Sequence, residues 1–425
     1  MLEQGIRDWG RRLLIVLLFV SAALLLRRTG FYAGIQNRLE RSRSIRTERT
    51  VAAGTELPRS ADVMMPLTLM VCGTEGGGRY GAAYSAGETA AVFRRFSVDL
   101  GEALGSAGAP AECAEEGFRA CLSRCSVAMQ FACPIRLDLL SGWLGVEMSA
   151  SAAEHSARLL CLSASESEAL LCYRTEDGTC YACTTAVSAE GFRSRAAEYA
   201  PNGAIYDWES EDLGRSAYTL LLSEPPETAV VKSAVPIPRE TETDEMLTAM
   251  GMNSFVTSSY TEADGTVVYV SDETTMRISQ TGTLLYRRAG QQDGAESEQD
   301  MLAAVSCAWN AAEQCIGKRA GAGELRFAGA EYDADQSSYT VWFDYCVDAI
   351  PVRLADGHAA ELVVRGGKVV QARLQMRQFT RTGARTELLP CLQAAAIAAR
   401  SQGLPELVYV DAGEATACMW VIKDG

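Results

Sequence analysis

From Leu13 to Leu26 the chain runs fourteen residues without a charge, and Ser21 is the one polar side chain among them. Such a stretch must be buried, either inside protein or inside a lipid bilayer. Fourteen helical residues rise about 21 Å, short of the ~30 Å hydrocarbon core. The flanks supply the missing length. Arg11, Arg12, Arg27 and Arg28 can lay their aliphatic stems along the apolar run and reach outward to headgroups. Trp9 on one side, with Phe31 and Tyr32 on the other, stand where an interfacial aromatic belt would be. As a helix, Trp9 to Tyr32 extends about 35 Å, enough to cross. A cleaved signal peptide is the competing reading, with Val20-Ser21-Ala22 as its small-residue site. Cleavage there would cut inside the apolar run and leave three leucines behind. The expectation is therefore an uncleaved transmembrane anchor over residues 13–33, after a short cytoplasmic tail at 1–12. Ser21, Ala22 and Ala23 are small enough to let a partner helix approach closely, which makes them the candidate partner-binding residues.

Charge bears on orientation and on partners. Arg7, Arg11 and Arg12 precede the span, whereas Arg27, Arg28, Arg38, Arg41, Arg43, Arg46 and Arg49 follow it. By the positive-inside rule this favours a cytoplasmic body. The rest of the chain is acidic, a weak argument for the exterior, so the residues alone leave topology open. Overall, 39 Lys and Arg face 54 Asp and Glu, a net charge of −15 that argues against nucleic acid. His155 and His358 are the only histidines, which starves any metal site or acid–base apparatus built on imidazole. No cofactor and no metal are expected.

The fourteen cysteines are spread irregularly and sit mostly among apolar neighbours, as small buried hydrophobes do. Cys180-Tyr-Ala-Cys183 is the lone CxxC. It lacks the second pair of a zinc ribbon and the helix start of a redox motif. Asp177-Gly178 reads as a two-residue hairpin turn, a register that sets Cys172 opposite Cys183 and Cys180 opposite Thr175. Buried thiols are the leading reading, and a cross-strand Cys172–Cys183 disulfide is the alternative.

After an arginine-rich juxtamembrane linker at 34–60, the patterning predicts α+β modules. An N-terminal α+β domain is expected over 61–238. It would contain a strand at 64–71, helices at 90–104 and 114–125, and strands at 157–163, 168–174 and 179–187. Ser188 is placed to cap a helix running to Ala200. Gly73 to Gly81 is a glycine-rich stretch between strand and helix. It carries neither GxxxxGK[ST] nor a clean GxGxxG, so a surface loop is favoured over a phosphate cradle. A small central β-meander is expected over 239–292, with turns at Asp264-Gly265 and Thr281-Gly282. In the C-terminal unit, 296–425, Met301, Val305, Ala308, Ala312 and Ile316 share one helical face. Tyr339, Val341, Phe343, Tyr345 and Val347 alternate as a strand. A second helix at 388–401 precedes strands at 406–410 and 417–423. A helix laid over an antiparallel sheet is the economical arrangement.

Catalytic signatures are missing. No GxSxG, SxxK or HExxH occurs. His155 and His358 read as surface or satisfied histidines. Glu209 with Glu211, and Glu262 with Asp264, read as solvated charge in so acidic a chain. Trp143, Trp309, Trp342 and Trp420 read as core. The chain is expected to be a non-enzyme that works by contact.

A single N-terminal anchor followed by mixed α+β modules resembles the YycH/YycI-type regulators of the WalK (YycG) two-component sensor histidine kinase of Gram-positive bacteria. The stretches that carry the resemblance are Asp264-Gly-Thr-Val-Val-Tyr-Val, Ile278-Ser-Gln-Thr-Gly-Thr-Leu-Leu-Tyr, Phe343-Asp-Tyr-Cys-Val-Asp-Ala-Ile-Pro-Val, Val363-Val-Arg-Gly-Gly-Lys-Val-Val and Met419-Trp-Val-Ile. Pro134-Ile-Arg-Leu-Asp-Leu-Leu-Ser-Gly-Trp-Leu-Gly adds to them. The resemblance implies a PepSY-like C-terminal part and a body outside the cytoplasmic membrane. It also implies modulation of a sensor histidine kinase controlling cell-wall metabolism, with a YycI-like protein as a further partner. The arginine bias and the cysteine load depart from that pattern. Two other readings compete. One is an envelope binding module for a peptide, lipid or cell-wall fragment, with a pocket lined by Tyr339, Phe343 and Tyr345. The other is a hydrolase built on two converging carboxylates.

Overall fold

The computed structural model describes residues 63–148, 150–210, 213, 218–271, 273–289, 300–411 and 416–424. The expected anchor at 13–33 and its Ser21, Ala22 and Ala23 lie outside these. Among the described residues, no helix is long and apolar enough to cross a membrane.

The first sheet has seven strands: β1 (Thr68–Cys72), β2 (Arg79–Ala83), β3 (Ala111–Cys113), β4 (Ser126–Arg136), β5 (Ser156–Ala164), β6 (Glu168–Thr175) and β7 (Cys180–Ser188). They run in the order β2-β1-β4-β5-β6-β7-β3, every neighbour antiparallel. Both faces are covered, which is why its strands read as near-continuous apolar runs. One face packs on α1 (Ala86–Ser106), which buries Val92, Phe93, Phe96, Leu100 and Leu104 at helical spacing. Ser85 caps that helix, accepting a bond from the Glu88 N–H. The other face packs on α2 (Glu115–Ser123), through Phe118 and Leu122. Beside α2 lies the segment carrying β8 (Ile205–Tyr206) and β9 (Leu220–Leu221), with Tyr206, Tyr218 and Leu220 buried. Three short helices complete this half: α3 (Leu137–Trp143), α4 (Ala150–Ala153) and α5 (Ala189–Ala196). The glycine-rich stretch after β1 turns into β2 rather than into a helix, so it has no cradle geometry.

The hairpin between β6 and β7 corrects the expected register. The Thr175 N–H donates to the Thr179 carbonyl at 3.0 Å, closing a three-residue loop that ends at Gly178 with φ +89°. Asp177 accepts from both the Thr175 hydroxyl and the Thr179 N–H, which fixes the longer loop. Cys172 therefore faces Ala182, and Cys183 faces Leu171. A one-residue slip moves every side chain to the other face. Cys172 and Cys183 point to opposite sides of the sheet and cannot form a disulfide.

The second half begins with β10 (Thr228–Ala234) and α6 (Glu240–Ala249). An antiparallel meander follows: β11 (Ser258–Thr261), β12 (Val267–Val270), β13 (Thr274–Ile278) and β14 (Thr283–Arg288). Then come α7 (Met301–Cys315), β15 (Gly323–Asp333), β16 (Ser338–Val347), β17 (Ile350–Arg353), β18 (Ala360–Arg365), β19 (Lys368–Gln375) and β20 (Gln378–Thr386). The chain ends with α8 (Cys391–Arg400), β21 (Gly403–Val410) and β22 (Cys418–Asp424). β14 pairs with β19, so the meander and the C-terminal strands share one sheet of eleven, with β15 attached to β16. β17 and β21 supply its one parallel pairing. α7 packs on this sheet through Ala304, Val305, Ala308, Ala311 and Ala312, small side chains that bring the helix axis close. The described residues thus form eight helices with mostly antiparallel sheets, in line with the α+β expectation.

A seam of aromatic rings joins the halves. Trp143 of α3 meets Phe327 edge-on at 5.8 Å, Phe327 meets Phe343 at 6.2 Å, and Trp309 of α7 lies 5.6 Å from Phe343. β10 pairs with β20 in a separate two-stranded sheet of the second half.

The outer edge of β2 is closed by a side chain. Asn202 accepts from the Gly81 N–H at 2.9 Å and donates to the Gly81 carbonyl at 2.8 Å, standing in for a neighbouring strand. Gly81 is needed there, because a Cβ would come within 2.6 Å of the Ala204 methyl. Asn202→Ala leaves two buried backbone groups unpaired and should lower stability by about 1–3 kcal/mol. The check is the shift in midpoint on chemical denaturation, with Asn202→Gln as the partial replacement.

Candidate functional site

A cleft of about 490 Å³ opens between the first sheet and the C-terminal strands. Leu67, Phe131, Leu220, Pro405 and Leu407 give it an apolar lining. Arg158 of β5, Arg174 of β6 and Lys423 of β22 bring positive charge to it. Glu406 is the one carboxylate on the wall, and Arg353 already holds it at 2.5 Å. The cleft is therefore cationic in an acidic protein.

The arginines are positioned by the sheet. Arg158 donates through Nε to the Phe131 carbonyl at 3.1 Å, which aims its guanidinium along the lining. Arg174 lies over the Tyr218 ring at 5.7 Å, and its Nε is buried with no protein acceptor. A guanidinium held on an aromatic face in this way is a ready donor to a carboxylate or phosphate.

The backbone around the cleft is unusual. Among the described residues, six that are not glycine have positive φ: Tyr84, Tyr218, Ser337, Asp348, Ala349 and Gln402. Tyr84 and Ala349 line the cleft, Tyr218 and Asp348 are their chain neighbours or those of lining residues, and Gln402 lies two residues before the lining Leu404. Left-handed backbone costs non-glycine residues free energy, and such strain gathers at binding sites.

The residues singled out from sequence fall elsewhere. Phe343 and Tyr345 are fully buried and Tyr339 nearly so, which makes them core rather than pocket walls. Their strand is covered by α7 on the face expected to be open. Glu262 is paired with Arg277, and Glu209 with Arg79. Asp99 has a carboxyl raised by burial, but it is bound to Arg195 in a structural pair. Among the described residues no group of His, Cys, Asp or Glu converges as a metal site. Trp143 is buried, as expected of core, and Trp309, Trp342 and Trp420 are half-buried. His155 bonds to the Tyr173 hydroxyl at 2.7 Å. The cleft arginines carry no motif in sequence. Their one signal is a charged residue inside an otherwise apolar strand.

No protein-family model and no curated protein matches the sequence. Among solved structures, YycH from Bacillus subtilis matches with a TM-score of 0.54 at 10% identity, over 87% of this chain and 97% of that one. The chain has a YycH-like fold.

His358 is a satisfied histidine of a particular kind. Its Nδ1 lies 2.9 Å from the Asp344 carboxylate, and that hydrogen bond raises its pKa above the usual 6.5 against the opposing pull of burial. A raised pKa in the folded state means the pair stabilises fully below the unfolded pKa and loses that contribution as pH rises through the folded one. The stability lost in His358→Asn should therefore be largest near about pH 5.5 and vanish well above neutrality. Thermal melts of both proteins across that range check it.

Proposed function

We propose that this protein is a membrane-anchored extracytoplasmic regulator that binds and modulates a two-component sensor histidine kinase controlling cell-wall metabolism. The observation that carries the reading is the YycH-like fold, which covers nearly the whole of the YycH chain. The apolar run at Leu13–Leu26 with its arginine and aromatic flanks supports the anchor. In this reading the anchor packs beside kinase helices through Ser21, Ala22 and Ala23, and a YycI-like protein joins the assembly. The body biases the kinase between two states, for which a coupling of about 1–3 kcal/mol is enough. No catalytic constellation is required, and the protein is proposed to be a non-enzyme.

Crosslinking in native membranes followed by identification of the captured chain tests this directly. Ser21→Leu with Ala22→Leu fills the close-approach surface and should weaken co-purification of the kinase, while membrane association persists. Unchanged recovery of the kinase would count against the proposed contact.

The cleft supports a second reading, an envelope module that binds an acidic, partly apolar peptide. Arg158, Arg174 and Lys423 above an apolar lining match that chemistry. Arg158→Ala with Arg174→Ala should weaken binding of a labelled peptide of alternating Glu and Leu by about 10- to 100-fold. Fluorescence anisotropy at two salt concentrations checks it, and equal binding by both proteins excludes the cleft.

A further inference from the structure

The strand ladder of the second sheet stops short beside the cleft. β17 and β21 pair in parallel at two positions, Val352 with Tyr409 and Arg353 with Val410. β21 itself starts at Gly403 and pairs with β22 from there to Tyr409. One edge of β21 is thus paired along the strand, and the other only at its end.

Two hydrogen bonds fix which backbone groups face which edge. The Val410 N–H donates to the Ala417 carbonyl on the β22 side at 3.5 Å. The Asp411 N–H donates to the Arg353 carbonyl on the β17 side at 3.0 Å. Successive residues of a strand turn their backbone groups to opposite edges. Tyr409, Leu407 and Pro405 therefore share the β17 edge with Asp411.

Pro351 ends the ladder. In a continued register the residue at this position would donate its N–H to the Leu407 carbonyl, and proline has no N–H. β17 cannot extend further back, because Asp348 and Ala349, both with positive φ, form the tight turn from β16. Ala349, Pro351, Pro405 and Leu407 all line the cleft, so the recess opens where β17 gives out. Leu407 is 3% exposed, and among the described residues no strand lies beside this part of its edge. Buried backbone groups are nearly always paired, so an open N–H and carbonyl here suit an incoming backbone.

We propose that the cleft binds an extended acidic peptide by strand addition. The peptide backbone pairs with Pro405 and Leu407 of β21, while its carboxylates meet Arg158, Arg174 and Lys423. This binding mode rests on the reading of the cleft as a peptide site, and adds how the peptide is held. A polypeptide is the ligand that fits, because it repeats a donor and an acceptor about every 7 Å along one strand edge. A free phosphate could meet the arginines but brings no such repeat. Charge selects acidic side chains. Arg353 already holds Glu406 at 2.5 Å, and Lys423 stands opposite Leu404 at the start of the open edge.

The test compares three hexapeptides of alternating Glu and Leu on the full-length protein in detergent. One is unmodified, one is N-methylated at every leucine and one at every glutamate. Alternate amides face β21, so one methylated peptide should lose at least about tenfold in affinity, while the other stays within about twofold of the unmodified one. Hydrogen exchange at the Leu407 amide should slow when the unmodified peptide is bound. Equal affinity of the two methylated peptides, or unchanged exchange at Leu407 on saturation, would overturn strand addition and leave the peptide site standing. Failure of the unmodified peptide to bind would overturn both. The methyl groups sit on the ligand, so the folding of the protein is the same in every measurement.

Discussion

The contact on which the two halves depend is the ring seam of Trp143, Phe327, Phe343 and Trp309. The second sheet presents Phe327 and Phe343 there, and helices α3 and α7 bring Trp143 and Trp309 onto them, so that none of these rings is left to meet water with its whole aromatic area. Phe343 is fully buried at the middle of the seam, with α7 above it and α3 beyond Phe327. Everything that bounds the cleft follows from this placement, since its walls come from both halves.

Local patterns were readable where one force decided the outcome. The alternation from Tyr339 to Val347 marks β16, because strand geometry puts those five residues on a single face. The helical face of α7 was equally plain, and Asp300 caps it as an acidic residue at that position can. What escaped was decided by non-local pairing. Nothing in residues 258–288 announces that β14 will bond to β19, nor that β17 will take a parallel neighbour from the far end of the chain. The loop at 176–178 was misjudged for a different reason. A threonine on each side of Asp177-Gly178 offers hydroxyl and N–H groups to the carboxylate, and those bonds outweigh the preference for a tighter turn. Tyr339, Phe343 and Tyr345 were named as pocket walls because periodicity gives a face without saying what covers it.

The cleft was hidden for the same reason. Arg158 and Arg174 sit on the paired strands β5 and β6, but Lys423 reaches them only because β22, remote in sequence, converges on the same recess. In an acidic chain, a cationic recess bordered by left-handed residues such as Tyr84 and Ala349 needs a physical justification. Its energetic cost, in strain and in like charges brought together, is offset if an anionic group enters.

One strand ties the cleft wall to the first half. Trp420 of β22 meets Tyr84 edge-on at 6.0 Å, and β22 holds β21, which pairs in parallel with β17. Lys423 stands on that same strand, so loosening the ring contact at Tyr84 would also free a cation of the recess.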